Sequence, residues 1–482
     1  MRAGRGAALG LSLAFVVTLG AVESRGDALP FLPPGDARLR HLVQIEADEG
    51  RVPLSTSWPI PTQDLPADER SSLYSYQQPG TSTDAGWFID GGIKPDPIRT
   101  FDDTPRETGE LGVQAGWAAG DYAGGALRVS YVAKPQDDMH YRFDDSYVAW
   151  RFGNWWVSLG QQERWWGPGH DGSLILSNNA RPLPSIGIDR ASARAPEWSW
   201  LKWIGPYRWS TFMGRFEDER VDFPHPLLWG LRLSFRPFDS GLEVGFSRTA
   251  QWCRPGVCDL TAFKNVVLGH DNAGENVSAS QEPGNQLAGY DLRWHLGSLP
   301  TAIYLQVNGE SIDNRNWRPR HLTDLVGWEW WSHPKEAGSW RAFAEFSQTT
   351  CGAWGAQSTD QAEPDCAYNN ALFTGGYYFR DRVIGHSLQG DGKLMTLGGL
   401  YLDSRQRTWE LRLRHGDLNA YGASTLNTLA TVPTGLWSVE AKAEGRWNTV
   451  TYSVGAGADR LEPRDGSPST AGRLFLSISR PW

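Results

Sequence analysis

The chain has 482 residues, a formal net charge of −9, 21 % charged residues, 25 Trp, 54 Gly and 4 Cys. That acidic balance excludes a nucleic-acid partner, which needs a basic surface. Beyond the first residues no apolar run approaches the ~18–20 residues of a transmembrane helix, so a membrane-spanning form would have to be built from strands, in which only every second residue faces lipid.

The start reads as a secretory signal peptide, residues 1–28. Arg2 and Arg5 precede an apolar run from Ala7 to Val17, and small residues follow at Thr18, Gly20 and Ala21. The run is too short to span a bilayer, and the first Cys is Cys253, which excludes a lipoprotein anchor. Residues 29–78 are expected to form a small helical plug. Asp36 can cap a helix whose Leu39, Leu42, Val43 and Ala47 form one stripe, with Gly50 positioned to stop it. After the Pro-rich Trp58-Pro-Ile-Pro61, a shorter helical candidate starts near Pro66 with Leu73 its only large apolar residue. Such a unit cannot bury a core alone and must pack against something else.

From about Gly86 the period is two, and residues 79–482 are expected to form the barrel. Trp229-Gly-Leu-Arg-Leu-Ser-Phe-Arg236, Trp409-Glu-Leu-Arg-Leu-Arg414, Trp437-Ser-Val-Glu-Ala-Lys-Ala-Glu444 and Val450-Thr-Tyr-Ser-Val-Gly-Ala456 alternate apolar with small or charged residues. Many such segments begin or end in Trp or Tyr, as aromatic girdles require. Long helices to cover them are lacking, and closure is how an all-β chain avoids exposed edges. Leu474, Leu476, Ile478 and Trp482 share one face of the last segment, like a terminal strand of an outer-membrane protein, although Arg480 and Pro481 interrupt the pattern. The fold class expected is all-β: a transmembrane antiparallel up-and-down barrel of about 18 strands. At that size the lumen is wider than its side chains can fill, so it needs water or a plug.

The densest group of polar and aromatic residues is Trp165 to Pro184. Trp165 and Trp166 offer flat apolar faces, and His170, Asp171, Asn178, Asn179 and Arg181 offer directional donors and acceptors. Sugars need that combination. The competing reading is that these groups satisfy one another and tie an inward-folded loop to the barrel. His170, Asp171 and Ser173 lie too close in sequence for a catalytic triad, and no facing carboxylate pair for a glycosidase stands out. Catalysis is not expected.

Two further loops carry candidates: Asp271 and Asn272 within Gly269–Glu275, and Asn369 and Asn370 after Tyr368. The Cys form two local pairs, Cys253/Cys258 and Cys351/Cys366, which in an oxidising compartment most simply close two short loops, although four Cys permit three connectivities. Asp271, Glu275 or Asp381 match no calcium-loop spacing. Neither a metal nor a cofactor is expected.

The run Trp166-Gly-Pro-Gly-His-Asp-Gly-Ser-Leu-Ile-Leu-Ser-Asn-Asn-Ala-Arg-Pro182 resembles the signature segment of the capsule assembly protein Wzi family. Thr56-Ser-Trp-Pro-Ile60, Gln286-Leu-Ala-Gly-Tyr-Asp-Leu-Arg293 and Ile384-Gly-His386 support the likeness. The resemblance implies a bacterial outer-membrane barrel of about eighteen strands, its periplasmic end blocked by a helical bundle. Its partners would be capsular or exopolysaccharide, bound like a lectin without catalysis, together with outer-membrane lipid, lipopolysaccharide and the barrel insertion machinery. A monomer is expected. The alternatives are a porin or oligosaccharide channel, since Arg232, Arg236, Arg412, Arg414, Glu440 and Lys442 suit a wet pore, and a glycan-modifying enzyme.

Overall fold

The computed structural model describes residues 29–67, 72–75, 85–217, 220–269, 278, 280–313, 318–335, 338–351 and 364–482. The expected signal peptide, and Asp271 and Asn272, lie outside them. Among the described residues, 18 antiparallel strands close into one barrel, from Ala85–Ile93 to Ser469–Pro481, and these two pair to seal the cylinder. A two-residue piece, Tyr141–Arg142, shares one neighbouring strand with Tyr147–Phe152 and is not counted separately.

Side-chain alternation sorts the wall. In Leu227–Phe235 the inward Leu228, Arg232 and Ser234 are buried, and Leu231, Leu233 and Phe235 point outward. Outward Leu111, Val113, Ile186, Ile188, Phe246, Leu397, Leu411, Leu413, Leu474 and Leu476 are all exposed, an apolar surface of the kind that faces lipid. The connections are unequal at the two ends. Turns such as 120–122, 153–154, 404–407 and 448–449 are short, whereas 161–184, 253–283, 349–392 and 419–433 at the other end are long. Exposed Trp117, Trp150, Trp155, Trp209, Trp294, Trp328, Trp340 and Trp409 gather near the short-turn end as an aromatic girdle.

The lumen is occupied. Helix α1 (Ala37–Asp48) is capped by Asp36, whose carboxylate accepts from Leu39 N at 2.9 Å. Its apolar stripe meets Val52, Trp58, Ile60 and Phe101. Its polar side is buried as well, because the inner wall of the barrel is itself polar: Arg38 donates to Gln406 O at 2.9 Å and His41 bonds Ser339. Asp48 pairs with Arg293 at 2.6 Å, and Asp64 with Arg208 at 2.6 Å. These contacts seat the segment at the short-turn end. The second helical candidate, from Pro66 on, lies mostly outside the described residues; those described form 3₁₀ turns at Thr62–Asp64, just before it, and at Ser72–Ser75 within it. The described part of the N-terminal segment holds one α-helix, two 3₁₀ turns and extended chain. A cavity of about 310 Å³ remains between this segment and the wall, bordered by Phe31, Asp36, Phe88, Asp90, Arg128 and Tyr147.

Candidate functional site

The segment from Trp165 to Pro184 leaves the long-loop end and folds into the lumen. Trp165 and Trp166 pair antiparallel with Trp58 and Ser57 of the N-terminal segment. Both indoles are buried, at 0 % and 1 % exposure. Trp165 meets Phe101 edge-on at 5.3 Å, Phe101 meets Trp58 at 5.1 Å, and Trp166 meets Phe212 at 5.6 Å. Neither ring is open to a ligand in this state.

The polar residues that follow are held by the wall. Three consecutive amides, of His170, Asp171 and Gly172, donate to the Glu345 carboxyl group at 2.6, 3.0 and 3.1 Å, a nest of donors converging on one buried side chain. Gly172 is required by close approach, since a Cβ there would overlap the His386 ring. The His170 ring stacks on Phe343 at 4.6 Å and bonds Glu329 at 2.7 Å through Nε2. Burial, aided by Arg40, holds its pKa down to about 3, so it is neutral and donates to Glu329. Asp171 accepts two bonds from Arg414, both at 2.9 Å, and one from Thr396 at 2.7 Å. Burial alone would raise its pKa, but Arg414 outweighs that and holds it below the usual carboxylate range.

Farther along, Asn178 donates to Phe101 O at 3.1 Å and Asn179 to Val383 O at 2.8 Å. Arg181 makes a two-pronged pair with Asp144 at 2.7 and 2.8 Å and reaches Asp137 at 2.6 Å. Tyr368 OH donates to Leu174 O and Tyr377 OH to Ile175 O, at 2.8 and 3.0 Å, which locks this segment to the loop beyond Cys366. In that loop Asn370 Oδ1 accepts from Leu372 N and Phe373 N, and Asn369 bonds Asp365. Both asparagines are half-buried and shape their own turn.

Disulfides join Cys253 to Cys258 and Cys351 to Cys366. Asp102, Glu410 and Glu444 are the described carboxylates placed closely enough to hold a cation. The Lys442 ammonium already stands among them, bonded to Asp102 and lying 3.2 Å from Glu410 and 3.1 Å from Glu444. Ser173 Oγ donates to Trp166 O at 2.6 Å, while His170 and Asp171 engage Glu329 and Arg414. The three therefore form no proton relay.

Sequence alternation marks Arg414 as inward, but it does not reveal Glu345, Glu329, Gln306 or Thr396 as the groups that grip the segment. Gln306 donates to Trp166 O at 2.8 Å and accepts from Leu174 N at 3.0 Å. These partners lie 132 to 140 positions away, where local pattern carries no information.

A family model described as capsule assembly protein Wzi matches residues 100–459. The chain belongs to that family. It is 28 % identical over 477 residues, 91 % of this chain and 89 % of the relative, to a 55.8 kDa protein in the cps region of Klebsiella pneumoniae. Its fold matches the solved Wzi of Escherichia coli with a TM-score of 0.76 at 22 % identity, covering 94 % of this chain and 99 % of the other. That protein is described as an outer-membrane, carbohydrate-binding barrel involved in group 1 capsule assembly. Within the Wzi family model's span lie the inward-folded segment, both disulfides and most of the wall.

Proposed function

We propose that this Wzi-family barrel sits in the bacterial outer membrane as a monomer, placed there by the barrel insertion machinery. There it binds capsular or exported polysaccharide at its outer end, without catalysis, supporting capsule assembly and attachment. The observation that carries this reading is the locking of the long loops 161–184 and 364–392 to the wall and to each other. A rigid loop surface is prepared to meet a flexible polymer without spending ordering entropy on its own side. The filled lumen favours this over the channel reading, since wall residues Arg208, Arg293 and Arg232 engage Asp64, Asp48 and Ser57 of the N-terminal segment rather than facing a pore.

On this reading the buried Trp165 and Trp166 organise the platform, and the glycan meets rings at its surface. Phe223 and Tyr421, half-buried on long loops, are the candidates, because sugar C–H faces stack on such rings. Replacing both by Ala should release polysaccharide from cells into the medium at unchanged barrel abundance. Trp165→Ala with Trp166→Ala should instead lower abundance or protease resistance first. Polysaccharide retained at wild-type level in the absence of the whole protein would contradict the proposal.

A further inference from the structure

The turn after Leu242–Trp252 departs from the barrel plan. Its helix α2 (Leu260–Leu268) is capped by Asp259, which accepts from Ala262 N at 2.8 Å, and is stopped by Gly269 at φ 75°. It does not fold into the lumen. Ala262, Phe263 and Val266 pack on Trp229, Ala250 and Trp252, and all three of those residues lie on the outward side of the wall. That side is fixed by register: Trp229 pairs with Ala250 and Leu227 with Trp252, while the alternate Arg232, Ser247 and Gln251 make lumenal bonds.

The outward Arg248 donates to Val267 O at 3.2 Å, and its other nitrogen bonds Gln286. A cation on the lipid side of a barrel is disfavoured, and here a helix C-terminus, with its partial negative charge, meets it. Arg248 lies four positions before the end of its strand, so the helix runs down the outside of the wall for about 13 Å from the long-loop rim.

The face that α2 turns away from the wall is specific in composition. Leu260, Lys264 and Leu268 stand at i, i+4 and i+8 on it, with Val267 beside them. Leu260 is 81 % and Leu268 55 % exposed, comparable to outward Phe246 at 51 %. Apolar residues around one lysine suit the boundary of a bilayer, where the stem of the lysine lies along apolar chains and its ammonium reaches phosphate. Arg254, donating to Ser280 O and Glu282 O, adds a second cation on the same loop, six residues before the helix.

We propose that α2 is embedded in the outer leaflet and seats a lipopolysaccharide molecule, its acyl chains against Leu260, Val267 and Leu268 and a phosphate at Lys264. The proposal rests on reading the barrel as membrane-spanning, and it is independent of glycan binding by the loops.

Single cysteines at 246, 268 and 425, carrying a polarity-sensitive fluorophore, test the placement in phosphatidylcholine nanodiscs with brominated acyl chains. Phe246→Cys on the wall and Leu268→Cys on the helix should both be quenched, and Thr425→Cys on an exposed loop should not. Quenching at 246 without quenching at 268 would overturn the proposal and leave the barrel intact. No quenching at 246 would remove the membrane reading itself. Disulfide-linked dimers through position 268 would also overturn the lipid seat in favour of a second copy. For the phosphate contact, the full-length Lys264→Glu protein should retain about fivefold less lipopolysaccharide through detergent purification than its parent. Equal retention in the two would overturn that assignment.

Discussion

Replacing Asp171 with Ala is expected to free the segment from Trp165 to Pro184 while leaving the barrel closed. The Asp171 carboxylate is the anion that the buried Arg414 grips with two nitrogens, and Thr396 adds a third bond. Removing one member of such a pair typically costs about 3–5 kcal/mol, because the partner charge stays buried. Arg414 also lies 3.8 Å from Asp96, so the cost should fall toward the lower end. Amide exchange across 165–184 should accelerate by at least about a hundredfold, as 3 kcal/mol implies. Exchange in distant strands such as Val450–Pro463 should stay slow. The double variant D171A/R414M should recover part of the loss, since it removes the stranded charge. Unchanged exchange in the single variant would mean that the Glu345 nest alone holds the segment.

Glu329 is the second point of large effect, because plug, loop and wall meet there. It accepts from Arg293 at 2.8 Å and from His170 at 2.7 Å, and it also pairs with Arg341. Arg293 in turn reaches Asp48 at the end of α1, and Arg341 Nε donates to His41 at 3.1 Å. Glu329→Gln keeps the shape and removes the charge, leaving Arg341 without its carboxylate in a buried site. A loss of about 3–5 kcal/mol is expected, seen as a lower temperature for the mobility shift of the folded barrel on SDS gels. E329Q/R341M should lie above the single variant. An additive, still lower double variant would show that the two side chains do not act as a pair.

The wall was legible from sequence because alternation is a local property. Trp229–Phe235 and Trp409–Arg414 lie in strands with the sidedness that their pattern implies, and the strand count is the 18 expected. The α1 stripe and the Asp36 cap were legible for the same reason. What fills the lumen was not. The charged inner positions suit water as well as they suit partners, and only contacts between residues far apart in sequence decide between them, as with Lys442 and Asp102, separated by 340 positions. Helix α2 was readable in principle: Asp259 offers a cap and Gly269 a stop around Leu260–Leu268. Its packing on Trp229 and Trp252 also explains why two outward tryptophans are only 7 % exposed.

Planar-bilayer conductance tests the central claim most directly, namely that the N-terminal segment and the inward loops close the lumen. The intact mature protein should be nearly silent, deleting residues 29–67 should produce small channels narrowed by the inward loops, and deleting residues 165–184 as well should bring them toward the size that an open barrel of this strand number allows. Channels of that size from the intact protein would contradict the account and restore the pore reading.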